Sequence, residues 1–153
     1  MNHFLVIGGT GTVGRQVLSR LVAADMQVRA LARNPGVARL PQEVEVVRGD
    51  LTVAETLEPC LEGIDTVFLV WTAPPSAVAA ALERILNRAQ RIVFLSAPIK
   101  TAHPLFQQPN PLRATVEQIE MLIESSGRQV DVSADGNVRR KRSELVGATD
   151  SLR

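Results

Sequence analysis

The chain opens on an apolar run without alternation, Phe4-Leu5-Val6-Ile7. A strand buried on both faces of a parallel sheet has this pattern. Four glycines follow within seven positions, Gly8, Gly9, Gly11 and Gly14. Val13, Val17, Leu18, Leu21 and Val22 then recur at helical spacing, which predicts a helix from about Val13 to Ala24. Short apolar runs and helical spacing keep alternating after that. Strands are predicted at Gln27–Ala32, Val44–Val47, Thr66–Val70 and Arg91–Leu95. Helical pieces are predicted at Val37–Leu40, Thr52–Leu61, Ser76–Ala89 and Leu112–Ser126. The last of these sets Val116, Ile119, Leu122 and Ile123 on one face and ends at Gly127 as a C-cap. Five alternations of β and α predict an α/β fold: a Rossmann-type, doubly wound parallel sheet of about five strands in three α/β/α layers.

The first turn carries the most specific chemistry. It reads as G-x-G-x-x-G on Gly9, Gly11 and Gly14, and as G-x-x-G-x-x-G on Gly8, Gly11 and Gly14. One glycine turns the chain off the strand, one lets the backbone approach a pyrophosphate, and one lets the helix pack close to the sheet. The N–H groups and positive dipole end of the helix then face the phosphates, with hydroxyls from Thr10 and Thr12 beside them. A glycine motif between a buried-type strand and a helix is the context that favours nucleotide binding over a plain turn.

Composition narrows the rest. A length of 153 residues with 45% hydrophobic content suits one globular domain. A net charge of +1 argues against nucleic acid or an anionic membrane as the dominant partner. No apolar run reaches spanning length. The single cysteine, Cys60, has no partner for an internal disulfide, and a cytoplasmic location is expected. His3 and His103 are far apart in sequence, so no metal site is expected.

The second strand ends in Arg33-Asn34-Pro35-Gly36, with Arg29 earlier on the same strand. An acid at this place takes the ribose 2′-hydroxyl of NAD, whereas an arginine suits the 2′-phosphate of NADP. NADP(H) is therefore favoured over NAD(H). Asp50, after the third strand, could reach the adenine amino group or cap the next helix. Trp71-Thr72-Ala73-Pro74-Pro75 and Ser96-Ala97-Pro98-Ile99-Lys100 stand at the carboxyl ends of the fourth and fifth strands, where such sheets bind ligands. Packing is the simpler reading of Trp71.

The segments LVIGGTGTVGRQV, RALARNP, VVRGDL, DTVFLVWT and RIVFLSA, with the HPLFQQPNPLR loop, resemble the NmrA-like branch of the atypical short-chain dehydrogenase/reductases over about residues 1–127. That resemblance implies NADPH-binding regulators or reductases of quinones and azo compounds. It implies that Gly8, Thr10, Gly11, Thr12, Val13 and Gly14 cradle the pyrophosphate. Arg33 would meet the 2′-phosphate, Asp50 and Leu51 the adenine, and Thr72 and Ser96 the nicotinamide half. Standard members of the superfamily use a Tyr-x-x-x-Lys pair, but this chain has no tyrosine. Lys100 and His103 are the nearest candidates for acid chemistry, and a solvated role is the simpler reading of each.

The resemblance stops at Gly127. Residues 128–153 hold six basic and four acidic residues and show no clear period. They are expected to form an irregular or disordered basic tail after an NAD(P)-binding domain at 1–127. The sixth strand and the C-terminal substrate lobe are expected to be missing, leaving an open sheet edge for self-association and weak or no turnover. With permissible codons, a one-base shift from Gln129 yields RWTFLRTGMFAANAASWWAP, close to what the family shows next. A single-base insertion or deletion near Arg128 is the expectation, and the gene sequence checks it. Three functions remain open: a reductase domain acting on a small acceptor in its full-length form, a non-catalytic NADP(H)-sensing regulator, or an inactive truncated product.

Overall fold

A computed structural model describes residues 2–96, 111–134 and 137–141. The first strand, β1 (His3–Ile7), runs through the middle of the sheet. Leu5, Val6 and Ile7 are at most 1% exposed. Leu5 and Ile7 point into one core and Val6 into another. This is why the run shows no alternation: both faces of β1 are dry.

The remaining elements follow in the expected order. They are α1 (Thr12–Ala23), β2 (Gln27–Ala32), β3 (Glu45–Arg48), α2 (Leu57–Leu61), β4 (Thr66–Leu69), α3 (Val78–Arg88), β5 (Arg91–Leu95) and α4 (Pro111–Ser125). Gly127 adopts φ +69°, and its N–H donates to the Glu124 carbonyl, closing the end of α4. The helical piece expected at Val37–Leu40 lies earlier, and the one expected at Thr52–Leu61 begins later and as a tighter turn. Residues Pro35–Val37 and Ala54–Thr56 are 3-10 turns. The second forms because the Asp50 carboxylate takes both the amide and the hydroxyl of Thr52, at 2.8 and 2.7 Å, and holds the chain in a turn ahead of α2.

The sheet order is β3-β2-β1-β4-β5 and then two further strands, β6 (Gln129–Ala134) and β7 (Asn137–Lys141). Every pair is parallel except β6 with β7. Here the structure corrects the expectation of an irregular tail without a sixth strand. Val130 lies opposite Ile92 and Val132 opposite Phe94. The open ladder of β5 supplies partners for a segment whose two valines alternate with polar residues, a period too brief to stand out among charges. The outer strand β7 carries Arg139, Arg140 and Lys141 along the edge.

The larger core lies on the face covered by α2, α3 and α4, built around Leu57, Leu61, Leu82, Ile85, Phe94, Ile119 and Ile123. The smaller core joins α1 to the other face through Leu18, Val28, Ala30 and Val44. On β5, Ile92 and Phe94 are fully buried while Arg91, Val93 and Leu95 are half-buried. The three layers therefore cover one face of β4 and β5 more completely than the other.

Candidate functional site

The chain reverses its direction of travel across the sheet between β1 and β4, and ligands of open α/β sheets bind at the strand ends beside such a switch. A cleft of about 380 Å³ lies there. It is lined after β1 by Gly8 and by Thr10 through Gly14, at the end of β2 by Leu31, Ala32 and Arg33, and after β4 by Val70 and Thr72.

Two of the glycines are required by the fold itself. Gly8 holds φ +88°, and a Cβ on it would stand 2.8 Å from the Cβ of Val70. A Cβ on Gly14 would meet the carbonyl carbon of Gly8 and the Cα of Gly9, each at 2.7 Å. Gly11 is different. It is the N-cap of α1 with φ −81° and ψ 174°, a conformation open to any residue. The nearest atom to a Cβ there would be the Gly8 carbonyl oxygen at 3.5 Å. Packing does not demand glycine at position 11, and a Cβ added there would project into the space the turn leaves open.

The start of α1 is bare. No side chain caps it and its first turn holds no acidic residue. The first helical bond runs from the Arg15 amide to the Gly11 carbonyl at 3.0 Å, so the N–H groups of Thr12, Val13 and Gly14 precede the helical ladder. Such a terminus attracts an anion through both its donors and its dipole.

Eight of the eleven residues expected at the site therefore meet in one cleft: Gly8, Thr10, Gly11, Thr12, Val13, Gly14, Arg33 and Thr72. Asp50, Leu51 and Ser96 do not line it. Leu51 is buried in the larger core at 6% exposure, and Ser96 is buried just after β5. Asp50 is near enough to feel Arg33. Its carboxyl is held below the ordinary range, first by the hydrogen bonds from Thr52 and then by the Arg33 charge. No acid neighbours Arg33 along the chain; the fold brings Asp50 toward it from the end of β3. Arg29 is committed elsewhere. It pairs with Glu45 at 2.8 Å and donates to the Cys60 and Glu62 carbonyls. Lys100 and His103 lie outside the described residues.

Arg15 carries a role the sequence reading missed. Its Nε donates to the Thr10 carbonyl at 3.0 Å, and its two terminal nitrogens donate to the carbonyls of Arg39 and Ala38 at 3.0 and 3.1 Å. The only signal in the sequence was an arginine directly after the last glycine, at a helix start that disfavours cations. Trp71 is half-buried against the larger core, and its indole N–H is buried without a hydrogen-bond partner.

Cys60 is fully buried beneath β3, its thiol 3.3 Å from the Thr56 carbonyl, and burial pushes its pKa up. Among the described residues no helix is long and apolar enough to cross a membrane.

These features agree with the comparisons to known proteins. The chain is 46% identical over 74 residues to Photosystem II assembly factor Ycf39 of Trieres chinensis, an overlap covering 47% of this chain and 23% of that protein. It is 40% identical over 76 residues to NAD(P)H azoreductase of Xenophilus azovorans, covering 48% of this chain and 27% of that one. The matched stretches thus span about a quarter of each relative's length. The structure of Citrobacter sp. triphenylmethane reductase complexed with NADP(H) superposes with a TM-score of 0.72 at 19% identity, covering 85% of this chain and 48% of that one. The profile of the NAD(P)H-binding family matches residues 8–129, most of the chain. The chain belongs to the NAD(P)H-binding family.

Proposed function

We propose that this chain binds NADP(H) in preference to NAD(H), with the pyrophosphate against the start of α1. The observation that carries this reading is Gly11, where a glycine unneeded by packing keeps open the space before three free backbone N–H groups. Gly8, Thr10, Thr12, Val13 and Gly14 complete the cradle. Arg33, exposed at the mouth, is suited to a 2′-phosphate. In this reading Asp50 and Leu51 would meet the adenine half, and Thr72 and Ser96, after β4 and β5, the nicotinamide half. The bound nicotinamide would supply reducing equivalents to a small acceptor. The reductases among the relatives support an acceptor of that class. With no tyrosine in the chain, no phenol can relay a proton.

A second reading is a non-catalytic sensor of NADP(H), favoured by the same lack of a tyrosine and by resemblance to a protein named as an assembly factor. Titration with NADPH and NADH, followed by quenching of Trp71, tests the shared premise. Saturable quenching with NADPH preferred supports both readings; a folded chain that binds neither nucleotide overturns them. Oxidation of NADPH with quinone and azo acceptors then separates reductase from sensor.

A further inference from the structure

We infer that Arg15 is a positioning residue that locks the glycine turn to the segment after β2, fixing the distance between the two phosphate-binding ends of the cleft. The inference rests on the reading of the cleft as a dinucleotide site. Its basis is the three-way hydrogen bonding of one guanidinium. Nε holds the Thr10 carbonyl within the glycine turn, while the two terminal nitrogens hold the carbonyls of Ala38 and Arg39. These acceptors belong to segments 23 and 24 residues away from Arg15 on one side and five on the other. Arg39 sits at φ +45°, a left-handed conformation an arginine keeps only with support, and its carbonyl is one of those Arg15 grips.

The placement is otherwise unfavourable. A cation in the first turn opposes the helix dipole, and no acid in that turn offsets it. The fork geometry of arginine, which a lysine lacks, explains the choice: it reaches three carbonyls in different directions. One bridged segment ends in the pyrophosphate cradle, and the other continues from Arg33 through Asn34 to Leu40. A ligand that spans both ends gains affinity from their fixed separation, because neither end has to be ordered on binding. A ligand that fills one end gains little. Arg15 therefore acts on the whole dinucleotide more than on either half.

The test compares Arg15→Met and Arg15→Lys with the parent chain. NADPH and adenosine 2′-monophosphate, which lacks the 5′-phosphate and so fills only the Arg33 end, are the two probes, and amide exchange of Gly11 and Ala38 is read without ligand. Both amides are hydrogen-bonded, to the Gly8 and Pro35 carbonyls. Exchange at both is expected to quicken together in both variants. The dissociation constant for NADPH is expected to rise about tenfold in both, and that for the monophosphate less than threefold. If Arg15→Met does not fold, Arg15→Lys carries the test. Recovery of NADPH affinity by lysine would overturn the inference in favour of simple charge. Unchanged exchange in a chain that binds NADPH would overturn the positioning role alone. A parent chain that binds neither probe would overturn the cofactor reading and the positioning role with it.

Discussion

Gly14 stands hard against Gly8: a Cβ on Gly14 would lie 2.7 Å from the Gly8 carbonyl carbon, with backbone on both sides of the contact. Backbone cannot swing aside as a flexible side chain can, so Gly14→Ala must push α1 away from the turn. The expected loss is about 1–3 kcal/mol of stability, the usual cost of overpacking, together with loss of nucleotide binding. Thermal melts and an NADPH titration check both.

Gly11→Ala should behave differently. Its φ suits alanine and its surroundings leave room for the methyl group. The melting temperature is expected to stay within a few degrees of the parent, while NADPH affinity falls more than tenfold. The pair of variants separates the glycine the fold needs from the glycine the ligand needs. Equal NADPH affinity for Gly11→Ala and the parent would refute the cradle.

The proposed preference for the phosphorylated cofactor rests on Arg33. Arg33→Ala should weaken NADPH at least tenfold and leave NADH within threefold, since only NADPH carries the 2′-phosphate. Separate titrations of the two nucleotides decide it. Equal losses for both would assign Arg33 a role unrelated to the phosphate.

Asp50 makes stability depend on acid. Thr52 and Arg33 hold its folded pKa below the reference value of 3.8. The stabilisation is therefore complete above that value and is lost as pH falls through the lower folded pKa. Asp50→Ala should melt below the parent at pH 7, and the gap should close as pH drops below about 4. A gap that persists unchanged at pH 2 would rule out the carboxylate as its source.

Cys60 is expected to resist alkylation at pH 8 in the folded chain. Its thiol is buried and its pKa raised, so little thiolate forms and less is reachable. Modification should proceed only at the rate of unfolding and should become immediate in denaturant. Mass spectrometry of iodoacetamide-treated protein reads it directly.

The sequence made β1, β2 and β5 legible nearly to the residue, because β1 and β5 hold apolar runs and β2, QVRALA, stops at the Asn34-Pro35-Gly36 turn. The glycine turn was legible because only a few residue types turn a strand into a helix so abruptly. What stayed hidden depended on distance in the chain. The Arg15 grip joins residues far apart, and nothing in local spacing announces that a guanidinium will seek carbonyls. Arg29 looked like a helper for Arg33 until β3 brought Glu45 opposite it. The pairing of Asp50 with Thr52 is local, yet it competes with a plausible role at the adenine, and propensity favours neither. The strand after Gly127 was missed because its two valines sit among charges, and only the waiting edge of β5 selects the extended form.

Because Val70 and Thr72 form one wall of the cleft, the pocket does not exist until β4 has inserted beside β1, a pairing that sets Phe4 against Thr66. A nucleotide held there would bind only chains that have already made this distant connection. At a hundredfold excess over its dissociation constant, such a ligand would deepen the native well by about 2.7 kcal/mol. The dinucleotide pool would then act as a folding partner for this chain, and its depletion would appear first as a shorter lifetime of the protein.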